Sequence, residues 1–218
     1  MMVKRLLDLG LTLTGALALL PFALIMMAWI KADSHGPVLF RQERVGCLGR
    51  RFKIFKFRTM VDNAEALGPQ ITAGSDARIT QCGRILRKYK IDEIPQLLNV
   101  IRGEMSLVGP RPEVPRYVAM WPKPKKEIIL SVKPGITDLS SIYYSKEQLL
   151  LGCSDNHERT YVDEILPNKL ALYCCYVAER GNWLDLRIIL ATVAMIAGLN
   201  IISGLLPEMK GLYPQEPS

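Results

Sequence analysis

The chain has 218 residues, enough for one well-buried core and too few for several independent domains. At 49% hydrophobic and 22% charged, its composition is that of a folded protein and excludes a low-complexity chain, and its apolar residues gather in dense runs near both ends. The formal net charge of +7, from 28 Lys and Arg against 21 Asp and Glu, fits an anionic partner: nucleic acid, an acidic membrane face or a phosphorylated substrate.

From Leu9 to Ile30 there are 22 residues without a charge. As a helix they reach about 33 Å, enough to cross a hydrocarbon core. A cleaved leader has a shorter apolar region and a small-residue cleavage site, which Ala28-Trp29-Ile30 does not offer. Lys4 and Arg5 precede the segment and Lys31, Arg41 and Arg44 follow it, so basic residues draw both ends to the same side of a membrane. Pro21 removes a backbone hydrogen bond in the middle. Two readings stand: a re-entrant anchor bent at Pro21, and a plain single span with a tolerated proline.

Val38 to Phe40 and Phe52 to Phe57 read as two strands of a small hairpin, turned at Gly46 and Gly49. Lys53, Lys56 and Arg58 are then expected at one edge, either as a solvated face or as phosphate contacts. Ala64 to Leu67 begins a short helix ended by Gly68-Pro69. Ile79 to Tyr89 reads as a strongly basic helix carrying Arg84, Arg87 and Lys88, with neither a nucleic-acid module nor an aromatic stacking platform beside it. Phosphates and lipid headgroups are therefore the better partners, and nucleic acid is not expected.

Lys123-Pro124-Lys125-Lys126 looks like a headgroup-facing loop, and Lys133-Pro134-Gly135 like a tight turn. His157 to Arg180 reads mostly as helix interrupted at Pro167. Ile188 to Leu206 has 19 residues without a charge, open between a buried core helix, a helix in the headgroup plane and a second span. The five cysteines (Cys47, Cys82, Cys153, Cys174, Cys175) include no CxxC pair and no histidine at metal spacing, which fits a reducing compartment better than a disulfide framework.

The chemistry-bearing cluster is Lys88-Tyr89-Lys90-Ile91-Asp92-Glu93-Ile94-Pro95, followed by Gly103 to Pro112. Pro95 suits the first turn of a helix, which places Asp92 or Glu93 at its positive end and keeps a carboxylate ionised. One reading is an ordinary helix cap. The other is a phosphoryl-transfer site, which needs a hard-cation ligand, cations for phosphate oxygens and a nucleophile, all present nearby. Arg111, between Pro110 and Pro112, has a rigid mount suited to a forked donor.

These motifs resemble one family. Lys4-Arg5 with Asp8, Gly36 to Gly46, Phe55-Lys56-Phe57-Arg58-Thr59-Met60, Asp92 to Val100, Gly103 to Pro112 and Lys133 to Thr137 are similar, in order and over nearly the whole chain, to the bacterial sugar transferases. These are the monotopic phosphoglycosyl transferases that start glycoconjugate assembly. The resemblance implies an α+β, mainly helical fold: a re-entrant membrane helix hairpin broken at Pro21 over residues 1–32, then a compact cytoplasmic catalytic domain over 33–206 with a small β-hairpin and interfacial helices, and a tail over 207–218. It implies that Asp92 attacks the sugar-bearing phosphate of a UDP-sugar, that UMP leaves, and that polyprenol phosphate accepts the phosphosugar from the aspartate. Glu93, with Asp92, is implied as a magnesium ligand or an aid to the acceptor. Arg111 within Pro110-Arg111-Pro112 is implied as a nucleotide contact, and Lys56, Arg58 and Arg87 as phosphate contacts.

The implied setting is the cytoplasmic face of a bacterial inner membrane, with its phospholipids and a second copy of the chain as further candidate partners. Tyr173 and Gly181 stand where the family often has an aspartate and a serine, so nothing is carried over there. Two other readings remain: direct transfer with Asp92 and Glu93 only holding magnesium, and a non-catalytic, membrane-anchored binding protein.

Overall fold

A computed structural model describes residues 2–64, 67, 76–145, 151, 156–199, 204 and 206. It is mainly helical, with two small two-stranded sheets. Helix α1 runs Met2–Asp33, and helical geometry continues through Pro21. Most of its side chains are exposed; Asp8, Thr12, Met26 and Ile30, in pairs four residues apart, are buried against the rest of the molecule. At one end Lys4 donates to Asp185 at 2.6 Å and to the Val108 carbonyl at 3.1 Å, and Arg5 donates to the Val100 and Ile101 carbonyls. Asp8 accepts from the Ser106 hydroxyl at 2.7 Å and the Leu107 amide at 3.3 Å. At the other end Met26 and Ile30 pack with Phe57, Cys82 and Leu86. Both ends of this apolar helix are therefore fastened to the same body.

Strands β1 (Leu39–Val45) and β2 (Arg51–Phe57) form the expected antiparallel hairpin, with Leu39 opposite Phe57 and Val45 opposite Arg51. The basic residues of β2 do not share an edge. Lys53 and Lys56 are three residues apart and so project from opposite faces of a strand, Lys53 to solvent and Lys56 inward. Arg58, just beyond the strand, is buried: its Nη2 donates to the Ser34 carbonyl at 2.6 Å and to the Ile30 carbonyl at 3.3 Å, closing the C-terminal end of α1.

Helix α2 (Gln81–Lys88) starts at Thr80, whose hydroxyl accepts from the Gly83 amide. A 3-10 turn, Ile91–Gln96, leads into α3 (Leu97–Arg102), which ends at Gly103 in the left-handed conformation. Within α3 the fully buried Asn99 accepts from the Phe55 amide at 3.0 Å and donates to the Lys53 carbonyl and Glu104, locking this segment onto β2.

Strand β3 (Ser106–Val108) pairs in parallel with β4 (Gly135–Thr137). The chains cross so closely beyond β3 that a Cβ on Gly109 would lie 2.5 Å from the Lys133 carbonyl oxygen, so no larger residue fits. Between these strands lie α4 (Pro115–Ala119) and α5 (Lys123–Ile129). The latter corrects the expected headgroup loop, because Pro124 is tolerated in a first helical turn. Beyond β4 come α6 (Leu139–Tyr143), α7 (His157–Thr160), a π-helical turn Tyr161–Ile165, α8 (Leu166–Glu179) with Pro167 in its first turn, and α9 (Asn182–Ile196). Their inward faces, including Leu170, Tyr176 and Ile188, make the main core.

Helix α9 is two-faced, with Ile188 and Ala191 buried and Leu190 and Val193 exposed. The remainder of the 188–206 stretch, apart from 197–199, 204 and 206, lies outside the described residues, as do the 207–218 tail, Gly68-Pro69 and Cys153.

Asp8→Ala is expected to leave the Ser106 hydroxyl and Leu107 amide without their acceptor and to cost about 2 kcal/mol. Removing the exposed Arg51–Glu43 pair by Arg51→Ala should change stability by less than about 1 kcal/mol. Denaturant unfolding in detergent compares the two; equal losses would show that α1 is not fastened through Asp8.

Candidate active site

Asp92 and Glu93 sit in the 3-10 turn between α2 and α3, only 7% and 8% exposed. The turn is set by Lys90, a non-glycine residue at φ 56°. A long helix with its dipole does not begin at these carboxylates, so their protonation is governed by burial and side-chain charges instead.

The two carboxylates are treated differently. Glu93 is grasped by Arg111, whose Nη1 donates to Oε2 at 3.3 Å and whose Nη2 donates to Oε1, while Lys56 donates to Oε1 at 2.9 Å. Burial opposes ionisation of Glu93, yet Arg111 and Lys56 outweigh it and hold its carboxyl well below the usual range. Asp92 meets Lys56 Nζ only at 3.9 Å and accepts no hydrogen bond among the described residues. Burial therefore pushes its carboxyl up, against the pull of Lys56, Arg87 and Lys90, and the neighbouring Glu93 charge adds to the rise. The result is one committed anion beside one carboxyl that is more basic than usual.

Arg111 owes its aim to its neighbours. The Pro110 carbonyl accepts from the Gly135 amide at 3.0 Å, and the Pro112 carbonyl accepts from Arg44 at 3.2 Å. Pro110 and Pro112 thus appear as mounts, with their carbonyls turned into the protein. Arg44 is itself held by Gln42 at 2.6 Å and Glu113 at 3.5 Å, and Tyr161 donates to Glu113. Arg87 donates to the Thr59 hydroxyl at 2.8 Å, and its charge acts on Asp92. The structure thus brings Lys56, Arg87 and Arg111 together around Asp92 and Glu93. Arg58 is not in that group, being engaged by the end of α1, and Pro21 lies on the exposed side of α1.

Sequence reasoning missed Lys90 as a site residue, because a positive φ leaves no signal in a lysine. It also gave no role to Asn99, whose presence in an apolar helix was the available sign.

Beside Glu93 and Arg111 lies a cavity of about 180 Å³, reached also by Leu19 from α1 and Met195 from α9. Among the described residues no cluster of three His, Cys, Asp or Glu side chains forms a cation cage. The adjacent carboxylates, one without hydrogen-bond donors, nonetheless fit a magnesium ion, which binds through one or two carboxylates and takes its other oxygens from water and substrate phosphates.

Four cations, Lys56, Arg87, Lys90 and Arg111, act on two carboxylates. That surplus is the electrostatics of a site for an anionic substrate. A model of the family described as bacterial sugar transferase matches residues 1–198, and the chain belongs to that family.

Among curated relatives, the undecaprenyl-phosphate glucose phosphotransferase of Komagataeibacter xylinus is 38% identical over 199 residues, covering 88% of this chain and 35% of that protein. The UDP-N-acetylgalactosamine-undecaprenyl-phosphate N-acetylgalactosaminephosphotransferase of Aeromonas hydrophila is 34% identical over 193 residues, covering 86% of this chain and 43% of that protein. The exopolysaccharide production protein PSS of Rhizobium leguminosarum bv. phaseoli is 35% identical over 201 residues, covering 88% of this chain and 94% of that protein. The chain therefore spans less than half the length of the first two relatives and nearly all of the third.

Arg111→Gln removes the strongest charge holding Glu93 ionised, so the Glu93 carboxyl is expected to titrate at higher pH than in the wild type. It should also lower stability by about 3 kcal/mol, because Glu93 is left buried with one partner fewer. Carboxyl carbon-13 NMR in the Asp92→Asn background reads the titration; an unmoved Glu93 would show that Arg111 does not set its charge.

Proposed function

We propose that this protein is a phosphoglycosyl transferase that moves a sugar 1-phosphate from a UDP-sugar to a polyprenol phosphate such as undecaprenyl phosphate, releasing UMP. The observation that supports it most is the divided carboxylate pair. Glu93 is held through both oxygens by Arg111 and Lys56 and is a poor nucleophile, whereas Asp92 accepts no hydrogen bond among the described residues, is more basic than usual and is flanked by cations.

In the first step an Asp92 oxygen attacks the phosphorus that bears the sugar. A phosphorus–oxygen bond forms, the bond to the bridging oxygen breaks, and UMP leaves with that oxygen and the electron pair. In the second step a phosphate oxygen of the polyprenol phosphate attacks the same phosphorus, the acyl phosphate bond breaks and the Asp92 carboxylate is restored. Lys56 and Arg87, whose charges act on Asp92, would neutralise the donor's phosphates, and Arg111 would contact the nucleotide while fixing Glu93. Asp92 and Glu93 would hold a magnesium ion, which when bound supplies further positive charge to the diphosphate.

Membrane placement is part of the same reading. A plain span would carry one end of α1 about 30 Å away from the body of the protein. Here Lys4, Arg5 and Asp8 at one end and Met26 and Ile30 at the other all touch that body, which supports an anchor whose two ends stay on one face of the membrane. Because Lys and Arg flank both ends, the face is the cytoplasmic one of a bacterial inner membrane. The Komagataeibacter xylinus and Aeromonas hydrophila relatives are named for different sugars, glucose and N-acetylgalactosamine, so the donor is proposed only as a UDP-sugar.

Intact-mass spectrometry of detergent-solubilised protein with magnesium and a panel of UDP-sugars, without lipid, is expected to show one added phosphosugar on the wild type and none on Asp92→Asn. Discharge by polyprenol phosphate completes the result. Turnover with lipid but no adduct would point to direct displacement instead. Since Asp92 must be ionised to attack and its carboxyl lies above the usual value, kcat/KM for the donor should fall as pH drops while still above the ordinary carboxylate range. A pH–rate profile flat down to that range would contradict this role.

A further inference from the structure

We infer that Asp138 is a positioning residue for Arg111: the arginine is shared between two buried carboxylates, Glu93 of the candidate site and Asp138 at the end of β4, and the second tempers the site's hold on the nucleotide. That last effect rests on the function proposed above.

The backbone brings Asp138 and Arg111 to adjoining strand ends. The Gly109 amide donates to the Thr137 carbonyl at 3.1 Å, and the Gly135 amide donates to the Pro110 carbonyl at 3.0 Å. Arg111 directly follows Pro110, and Asp138 directly follows Thr137. Arg111, Thr137 and Ser141 line the same cavity beside Glu93. Asp138 is joined to that wall, because the Ser141 amide donates to its Oδ1 at 2.9 Å and the Ser141 hydroxyl donates to its Oδ2 at 2.8 Å.

Those bonds cap α6, but capping alone does not call for a charge, since asparagine caps a helix as well as aspartate does. Asp138 is fully buried and makes no ion pair among the described residues. A buried carboxylate is strongly unfavourable unless a cation compensates it. Arg111 supplies that compensation. Glu93 does most to hold the Arg111 guanidinium well above its usual value, burial opposes it, and Asp138 adds to the rise.

The other acidic groups of this region are engaged elsewhere or neutral. Glu113 lies 3.5 Å from Arg44 and accepts from the Tyr161 hydroxyl at 2.7 Å. The Tyr173 hydroxyl accepts from Ser140 at 3.3 Å and stays a neutral phenol, because burial first and then the Asp138 charge push it well above the usual range.

Arg111 is the cation proposed to contact the nucleotide, and both carboxylates offset its charge. With only Glu93 to offset it, Arg111 would attract the departing UMP more strongly, since a phosphate monoester carries close to two negative charges. Asp138 therefore favours release of UMP over its retention.

Two measurements on the full chain in detergent test this. Isothermal titration calorimetry with UMP and magnesium is expected to give about fivefold tighter binding for Asp138→Asn than for the wild type. Asparagine keeps the cap, so a role in capping alone predicts no change, and unchanged or weaker UMP binding would overturn the inference. Denaturant unfolding is then compared for Asp138→Asn, Arg111→Gln and the double variant. Asp138→Asn is expected to move the unfolding equilibrium about tenfold further toward the folded state in the Arg111→Gln background than in the wild type, because there it removes a buried carboxylate that has lost its cation. Equal shifts in the two backgrounds would overturn the sharing of Arg111. Failure of the wild type to bind UMP would defeat the proposed function and the tempering that rests on it, while the coupling still decides whether Asp138 holds Arg111.

Discussion

The grip of Arg111 and Lys56 on Glu93 is the interaction around which the rest of the site is arranged. Without it, two neighbouring carboxyls with less than a tenth of their surface exposed could not both ionise, and neither would have a distinct role. With it, one negative charge is fixed and Asp92 is left as the group whose state can change. The grip in turn depends on elements far apart in sequence. Lys56 comes from the inward face of β2, which Asn99 locks in place, and Arg111 is carried on a proline-bounded loop whose carbonyls are tied to Gly135 and Arg44. The close crossing of Gly109 over Lys133 lets that loop approach β4, so a residue with no chemistry of its own controls where the arginine points.

The same construction places the site against an apolar surface. Asp8 and Lys4 bind the start of α1 to β3 and α9, and Arg58 together with the Met26 and Ile30 packing binds its end to the hairpin and α2. Leu19, between those fastenings, is thereby held over the cavity that Glu93 lines. An apolar helix tethered only at one end could not serve as a fixed wall.

Much of this was legible in the sequence, for physical reasons. The β-hairpin follows from apolar alternation broken by glycines and the basic α2 from its helical period, while carboxylates and a rigidly mounted arginine set among cations mark Asp92, Glu93 and Arg111 only as candidates, open between a helix cap and a phosphoryl-transfer site until the family resemblance is added. What could not be read was direction. Lys53, Lys56 and Arg58 look like one basic edge in one dimension, yet strand geometry sends Lys53 and Lys56 to opposite faces and Arg58 turns its Nη2 to the end of α1. The expected helix dipole at Asp92 gave way to a 3-10 turn, because Lys90 adopts a left-handed conformation that no residue pattern announces. Long-range partners such as Lys4 and Asp185 were equally hidden, since charge complementarity 181 positions apart leaves no periodic trace.

The central claim is that Asp92, freed by the fixed charge on Glu93, is the carboxylate that takes the phosphosugar. The most direct measurement is isotope exchange: carbon-14 UMP, unlabelled UDP-sugar and magnesium with purified protein and no lipid. The account requires label to enter the UDP-sugar with wild type and not with Asp92→Asn, because only a reversible covalent step returns UMP to the donor. Transfer to added polyprenol phosphate by a wild type that shows no such exchange would contradict it.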